Sequence, residues 1–261
     1  MWGLFRSKPI LSEEDQWFQV ECYKWLLSNF GGDHFYKNTK LVLPTKEFFP
    51  SKVNSNEDAA KITFEQVRKH AGLQDWPCKL VAQKKDPNFK VAPTVILQNT
   101  KSSPLGTFSG KKKKVTITYN PDIVSNPTQM VATFAHELSH YLTFTASEPP
   151  PGGADNWEFA TDVCATFLGF GIFVANSAFV FQQYSSTGVG THGWESSRNG
   201  YLSEAEHSYA LAIFLLLKEV PPEQAYPHCD TNIKSCLKRA VKELNKSEII
   251  KELQAVEYKV Y

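Results

Sequence analysis

The segment that most restricts what this chain can become is ATFAHELSHYLTF, residues 132–144. Met130, Val131, Phe134, Ala135, Leu138 and Leu142 give it an oily surround. Asn126 or Ser125 can cap its start, and Pro127 suits the first helical position, so a buried helix is predicted from about 125 to 144. Into that helix the chain sets His136, Glu137 and His140. Residues four apart lie one turn apart on one face, so the two rings point the same way, and Glu137 is displaced by about 100°. Burying three ionisable groups is costly unless something pairs them. Two readings are open at this point: a metal ion gripped by the paired rings, or a core helix whose polar groups are hydrogen-bonded without one.

Two imidazoles so placed can bind one zinc ion from one side, and Glu137 could reach a water on that ion. A catalytic zinc has three protein ligands and one open position. The third ligand has candidates a short distance on. The breaker-rich loop ASEPPPGGAD lets the chain double back, and NWEFATD then opens a second helix near Asp155 or Asn156. Glu158 and Asp162 are four apart and share a face of it. The same acids would also suit a solvated first turn, favoured by the helix dipole.

His-Glu-x-x-His on one helix, followed by Asn-x-Glu-x-x-x-Asp on the next, resembles the gluzincin zinc metallopeptidases, the broad group that contains thermolysin. The resemblance implies His136, His140 and Glu158 as zinc ligands and Glu137 as general base. It implies that Asp162 hydrogen-bonds a metal-bound histidine and fixes its ring, with Asp162 as ligand and Glu158 in support as the alternative. Thermolysin-like proteins place Asn directly before the ligand Glu, whereas here Trp157 lies between Asn156 and Glu158. The likeness is therefore to the broad clan, and it covers at most residues 105–173. It also implies a small sheet before the first zinc helix, whose edge strand pairs with an extended peptide or protein substrate. Residues 106–109 and 115–119 are the candidates for that edge.

A tetrahedral intermediate needs a donor for its oxyanion, often His or Tyr. His207 shares a helical face with Ala210, Leu211 and Phe214 and so points inward, which suits either that role or a core histidine bonded to backbone. Tyr201 and His192, from the polar loop QYSSTGVGTHGWESSRNG and its end, are further candidates.

The remaining pattern frames this site. Ser12 with Asp15 predicts a helix start, and Gly31 with Gly32 its end; Asn56 is expected to cap a second helix running towards Gly72, with His70 near its end as a surface or capping residue. Strands are expected at CKLVA (78), TVILQ (94), LGTFS (105) and VTITY (115), the last two joined by a hairpin at Ser109–Gly110. Ser203 and Glu206 form a capping box before a third apolar helix, and two amphipathic helices follow Pro227. The apolar run 164–181 could mimic a membrane span, but it follows directly on charged NWEFATD and reads better as a core helix broken near Asn176 and Ser177. With a net charge of +1, no strong field recruits nucleic acid or anionic lipid, and Lys111 to Lys114 read as a solvated hairpin end. Five cysteines form no disulfide framework; Cys229 and Cys236 beside His228 make only a weak metal pattern.

The expected fold is α+β and zincin-like: a small mixed sheet, two zinc-bearing helices beside it, and added helices at both ends. The expected division is an N-terminal helical region over 1–75, a core over 76–220 and a helical tail over 221–261. The expected function is zinc-dependent hydrolysis of peptide bonds. The alternative is a metal-stabilised regulatory or interaction protein of the same fold without general protease activity. The N-terminus lacks the apolar core of a secretion signal, so a cytoplasmic location is expected.

Overall fold

In a computed structural model the chain is described over residues 8–50, 55–83, 115–185 and 202–258, with backbone alone for 179–185. Helix α1, Glu13–Asn29, starts as expected: the Ser12 hydroxyl accepts from the Asp15 amide. The chain leaves α1 through only two residues, Phe30 and Gly31. Gly31, at φ 77°, turns it directly into a short second helix, α2, Gly32–Asn38. The Lys218 ammonium donates to the Phe35 and Tyr36 carbonyls near the end of α2. Phe35 carries α2 into the core, stacked on Phe167 at 4.4 Å and edge-on to Phe214 at 5.7 Å.

Helix α3, Asn56–His70, is capped by Ser55 rather than Asn56, because Ser55 is the residue whose backbone is still extended when its hydroxyl meets the Asp58 amide. His70 ends α3 and bonds the Phe48 carbonyl, a structural role. Strands β1, Cys78–Ala82, and β2, Val115–Tyr119, pair in parallel, Cys78 opposite Val115 and Ala82 opposite Tyr119. Among the described residues the sheet is thus two-stranded and parallel instead of mixed. The expected strands at 94 and 105, the hairpin at Ser109–Gly110 and the basic run 111–114 lie outside the described residues. Val115, Ile117 and Tyr119 are buried in alternation, and Tyr119 meets Phe134 edge-on at 5.8 Å, which seats the sheet on the next helix.

That helix, α4, Pro127–Thr143, is buried continuously from Met130 to Thr143. Asn126 caps it and Pro127 occupies its first turn. It packs against α3 and, beyond the Pro/Gly loop, against α5, Trp157–Ala165, and α6, Gly171–Ser185. A wide π-helical turn, Thr166–Phe170, joins α5 to α6. The break in this apolar run is therefore at Gly169, not near Asn176. Gly169 sits at φ 100°, its carbonyl accepts from the Val42 amide, and a Cβ there would strike the Lys40 carbonyl oxygen. Asn176 lies inside an unbroken helix. Its side chain donates to the His228 carbonyl and accepts from the Asp230 amide, so its polarity tethers the C-terminal region. The stretch Ala154–Ala178 is long and apolar enough to cross a membrane, yet 94% of its most apolar window is buried inside the protein, as a core element should be.

Helix α7, Glu204–Leu217, opens on the predicted capping box of Ser203 and Glu206 and is buried almost throughout. Helices α8, Thr231–Leu244, and α9, Ile249–Gln254, close over it with Ile233, Leu237, Ala240, Leu244 and Leu253 inward. One hydrophobic core runs from Phe18 to Leu253 and takes in all three expected regions. The whole is mixed helical with a small sheet, α+β in the broad sense.

Candidate metal centre

The site forms where α5 crosses α4. One turn of α4 separates His136 from His140, so their rings stand side by side, centroids 4.7 Å apart and nearly perpendicular. Glu158, in the first turn of α5, places Oε2 3.5 Å from His136 Nε2 and 3.2 Å from His140 Nε2. Among the described residues these three form the one His/Cys/Asp/Glu group able to hold a metal ion, with all ligand atoms within 4.8 Å of one another. Bonds of about 2.0–2.2 Å to a tetrahedral zinc imply ligand separations of roughly 3.3–3.6 Å, close to the two glutamate contacts. Cys229, Cys236 and His228 make no such group.

The next turn of α5 supplies the layer behind the rings. Asp162 is buried, and its Oδ1 lies 2.9 Å from His136 Nδ1. A carboxylate accepts, so Nδ1 of His136 carries the proton and donates. Oδ2 of Asp162 accepts from the Leu202 amide at 3.1 Å. Of the two arrangements open in the sequence, the structure therefore puts Glu158 at both Nε2 atoms and Asp162 behind one ring. Thr161, between them and fully buried, places Oγ1 3.2 Å from His140 Nδ1 and 2.8 Å from the Trp157 carbonyl.

Glu137 is 1% exposed, and its Oε2 is buried with no hydrogen-bond partner among the described residues. A carboxylate so placed is costly unless a charge or a water meets it. Burial pushes its carboxyl up to about 8, opposed by the nearby His136 ring. Burial also disfavours a charged His136, but bonds to Asp162 and Glu158 outweigh it and hold that ring well above the ordinary imidazole range. His140 moves the other way: burial lowers it, and the Glu158 contact only partly compensates. Burial alone would raise Glu158, yet the two rings hold its carboxyl far below the usual carboxylate range. The donor set, the separations and the buried Glu137 carboxylate beside them all fit a divalent cation.

His207 is 1% exposed and directs Nε2 towards Asp162 Oδ2 at 3.8 Å, the oxygen turned away from His136. Its Nδ1 is buried without a hydrogen-bond partner among the described residues. Tyr201 and His192 lie outside the described residues. The open side of the group is elsewhere. The Glu158 side chain is 49% exposed, and Phe144, 47% exposed, stacks on the His140 ring at 5.8 Å and on Trp157 at 5.3 Å. The Trp157 indole donates to the Thr143 hydroxyl, which anchors that aromatic rim.

Sequence reasoning missed Thr161, the Leu202 amide and the rim. Thr161 had a usable signal, since it stands three residues after Glu158 on the ligand-bearing face. A backbone amide from 40 residues away had none. The chain matches no protein-family model, no curated protein and no solved structure.

Proposed function

We propose that this protein is a zinc-dependent metallopeptidase of zincin-like fold, with His136, His140 and Glu158 as ligands, Glu137 as general base and Asp162 orienting His136. The observation that carries this reading is the convergence of both Nε2 atoms on one Glu158 oxygen beside the buried Glu137 carboxylate, whose Oε2 has no hydrogen-bond partner among the described residues. Two imidazoles and a carboxylate suit zinc, and three protein ligands leave the open position that catalysis needs.

A bound zinc supplies Lewis acidity, making a water acidic near neutral pH and polarising a carbonyl. The chain's own residues do the rest. Glu137, shielded from bulk solvent, takes a proton from the attacking water and returns it to the leaving amine. Its burial suits that exchange, because a desolvated carboxylate holds a proton more readily than one in water. Asp162 keeps the proton of His136 on Nδ1, so Nε2 faces Glu158. The exposed side at Glu158 and Phe144 is where an extended peptide would enter. The position of His207 against Asp162 favours a supporting role over donation to the oxyanion, and Tyr201 and His192 remain the proposed donors.

The test is zinc content together with peptide cleavage. The parent should carry roughly one zinc per chain, and Glu158→Ala should lose it. Glu137→Gln should keep the metal and lose about 10²–10⁴-fold in cleavage rate. A Glu137→Gln variant as active as the parent would exclude Glu137 as the base. A parent that holds zinc and cleaves no peptide would favour the metal-stabilised interaction protein.

A further inference from the structure

We infer that Thr161 is a positioning residue whose hydroxyl decides which nitrogen of His140 carries the proton, leaving Nε2 of that ring as an acceptor aimed at Glu158. The inference rests on the reading of His136, His140 and Glu158 as the metal group.

Thr161 Oγ1 has two polar neighbours, the Trp157 carbonyl at 2.8 Å and His140 Nδ1 at 3.2 Å. A hydroxyl has a single hydrogen to give. The carbonyl can only accept, and it is the nearer, so the hydrogen goes there and the hydroxyl turns a lone pair towards His140. Nδ1 must then be the donor. Thr161 is fully buried, so no water competes for this contact. A neutral imidazole has one N–H, and with that hydrogen on Nδ1 the Nε2 atom, 3.2 Å from Glu158 Oε2, is a bare acceptor.

The neighbouring residue does the same for the other ring. Asp162 accepts from His136 Nδ1, so when that ring is neutral its bare nitrogen is Nε2 as well. Two adjacent residues of one turn of α5 thus orient both imidazoles, one through a carboxylate and one through a hydroxyl. With both rings neutral, Nε2 of His136, Nε2 of His140 and Oε2 of Glu158 are three acceptors facing one another. Such a set repels itself unless a cation, a proton or a metal ion, sits among its three atoms. The Thr161 contact is an observation separate from the ligand spacing, and it points the same way. It also explains why a hydroxyl-bearing residue occupies a fully buried site where an aliphatic side chain would pack as well.

The experiment compares the parent with Thr161→Val and Thr161→Ala, which remove the hydroxyl with and without keeping its volume, and with Thr161→Ser, which retains it. Zinc affinity is read by competition with a chelator. Exchange of the His140 Nδ1 proton with solvent is read by NMR on the zinc-loaded protein. Thr161→Val and Thr161→Ala should weaken zinc binding by roughly 10–100-fold and speed that exchange, as loss of a partner behind a metal-bound histidine does. Thr161→Ser should bind and exchange like the parent. Parent-like zinc affinity in both Val and Ala variants, or a Ser variant as weak as they are, would overturn the positioning role alone. A parent with no zinc affinity would overturn the metal reading, and this role with it.

Discussion

The two histidines of α4 are chemically identical and one turn apart, yet the site treats them differently. His136 faces inward. Its Nδ1 meets Asp162, whose other oxygen takes the Leu202 amide and faces His207, and every one of these side chains is buried. His140 lies at the mouth, its Nδ1 against the neutral hydroxyl of Thr161 and its ring flat against exposed Phe144. The inner ring is consequently held above the ordinary imidazole range and the outer one below it. The contrast arises from the two adjacent residues of α5 that meet the rings, a carboxylate behind one and a hydroxyl behind the other. It teaches a division between a buried inner wall that holds geometry and an outer rim that is exposed.

The largest test of that division is Asp162→Asn. The amide keeps the shape but weakens the acceptor behind His136 and the grip on the Leu202 amide. Zinc affinity should drop by roughly 10–100-fold. His207→Ala sharpens the result. If His207 supports Asp162, zinc affinity falls in the same direction, by less, and not additively with Asp162→Asn. If His207 instead donates to the oxyanion, zinc stays bound while kcat falls by about 10²–10³-fold. Chelator competition and steady-state kinetics on the same variants decide between them.

A smaller effect should appear in the metal-free protein as a dependence of stability on pH. The buried Glu137 carboxyl is pushed up to about 8, whereas an ordinary one stands at 4.5. Folding therefore favours its protonated form. The stability this group contributes is complete below about pH 4.5 and is lost as pH rises through 8. Glu158, held below its ordinary value by the two rings, runs the other way: its contribution is present above pH 4.5 and lost on acidification below that. Metal-free Glu137→Gln should thus melt progressively higher than the metal-free parent from pH 5 to 9, by about 2–4 °C for each kcal/mol relieved. A gap that does not change with pH would mean that Glu137 is not held protonated by its burial.

Much of the inner wall was legible in the sequence, because spacing on a helix is geometry. His136, His140, Glu158 and Asp162 share faces by their separations of four, and α5 returns beside α4 as the Pro/Gly loop suggests. The caps at Ser12, Asn126 and Ser203 were legible for the same local reason. What escaped depends on distant partners. Gly31–Gly32 reads as a stop, but α2 forms because Phe35 fills the space between Phe167 and Phe214. Gly169 carries no mark of a bend in an apolar run; the bend exists because residues 40–42 press against it. Asn176 carries a polar mark and is no break, since its amide is spent on His228 and Asp230. The pairing of β1 with β2 in parallel is likewise invisible locally, as each strand shows only its own alternation.

The smallest expected effect belongs to the rim. Phe144 is 47% exposed and stacks on His140 and Trp157, so Phe144→Ala gives up little buried area and should change stability by no more than about 1.5 kcal/mol, the upper range for such aromatic pairs. The Nδ1 contact of His140 to Thr161 survives that substitution, so zinc affinity should stay within about threefold of the parent, well short of the loss that follows removal of a partner behind a ligand. Any change in cleavage should fall on KM for peptides with apolar side chains, since the ring borders the open side of the site and no reacting group. Should Phe144→Ala release zinc as readily as Asp162→Asn does, the rim would be holding geometry as well, and the separation between an orienting wall and an admitting mouth would not stand.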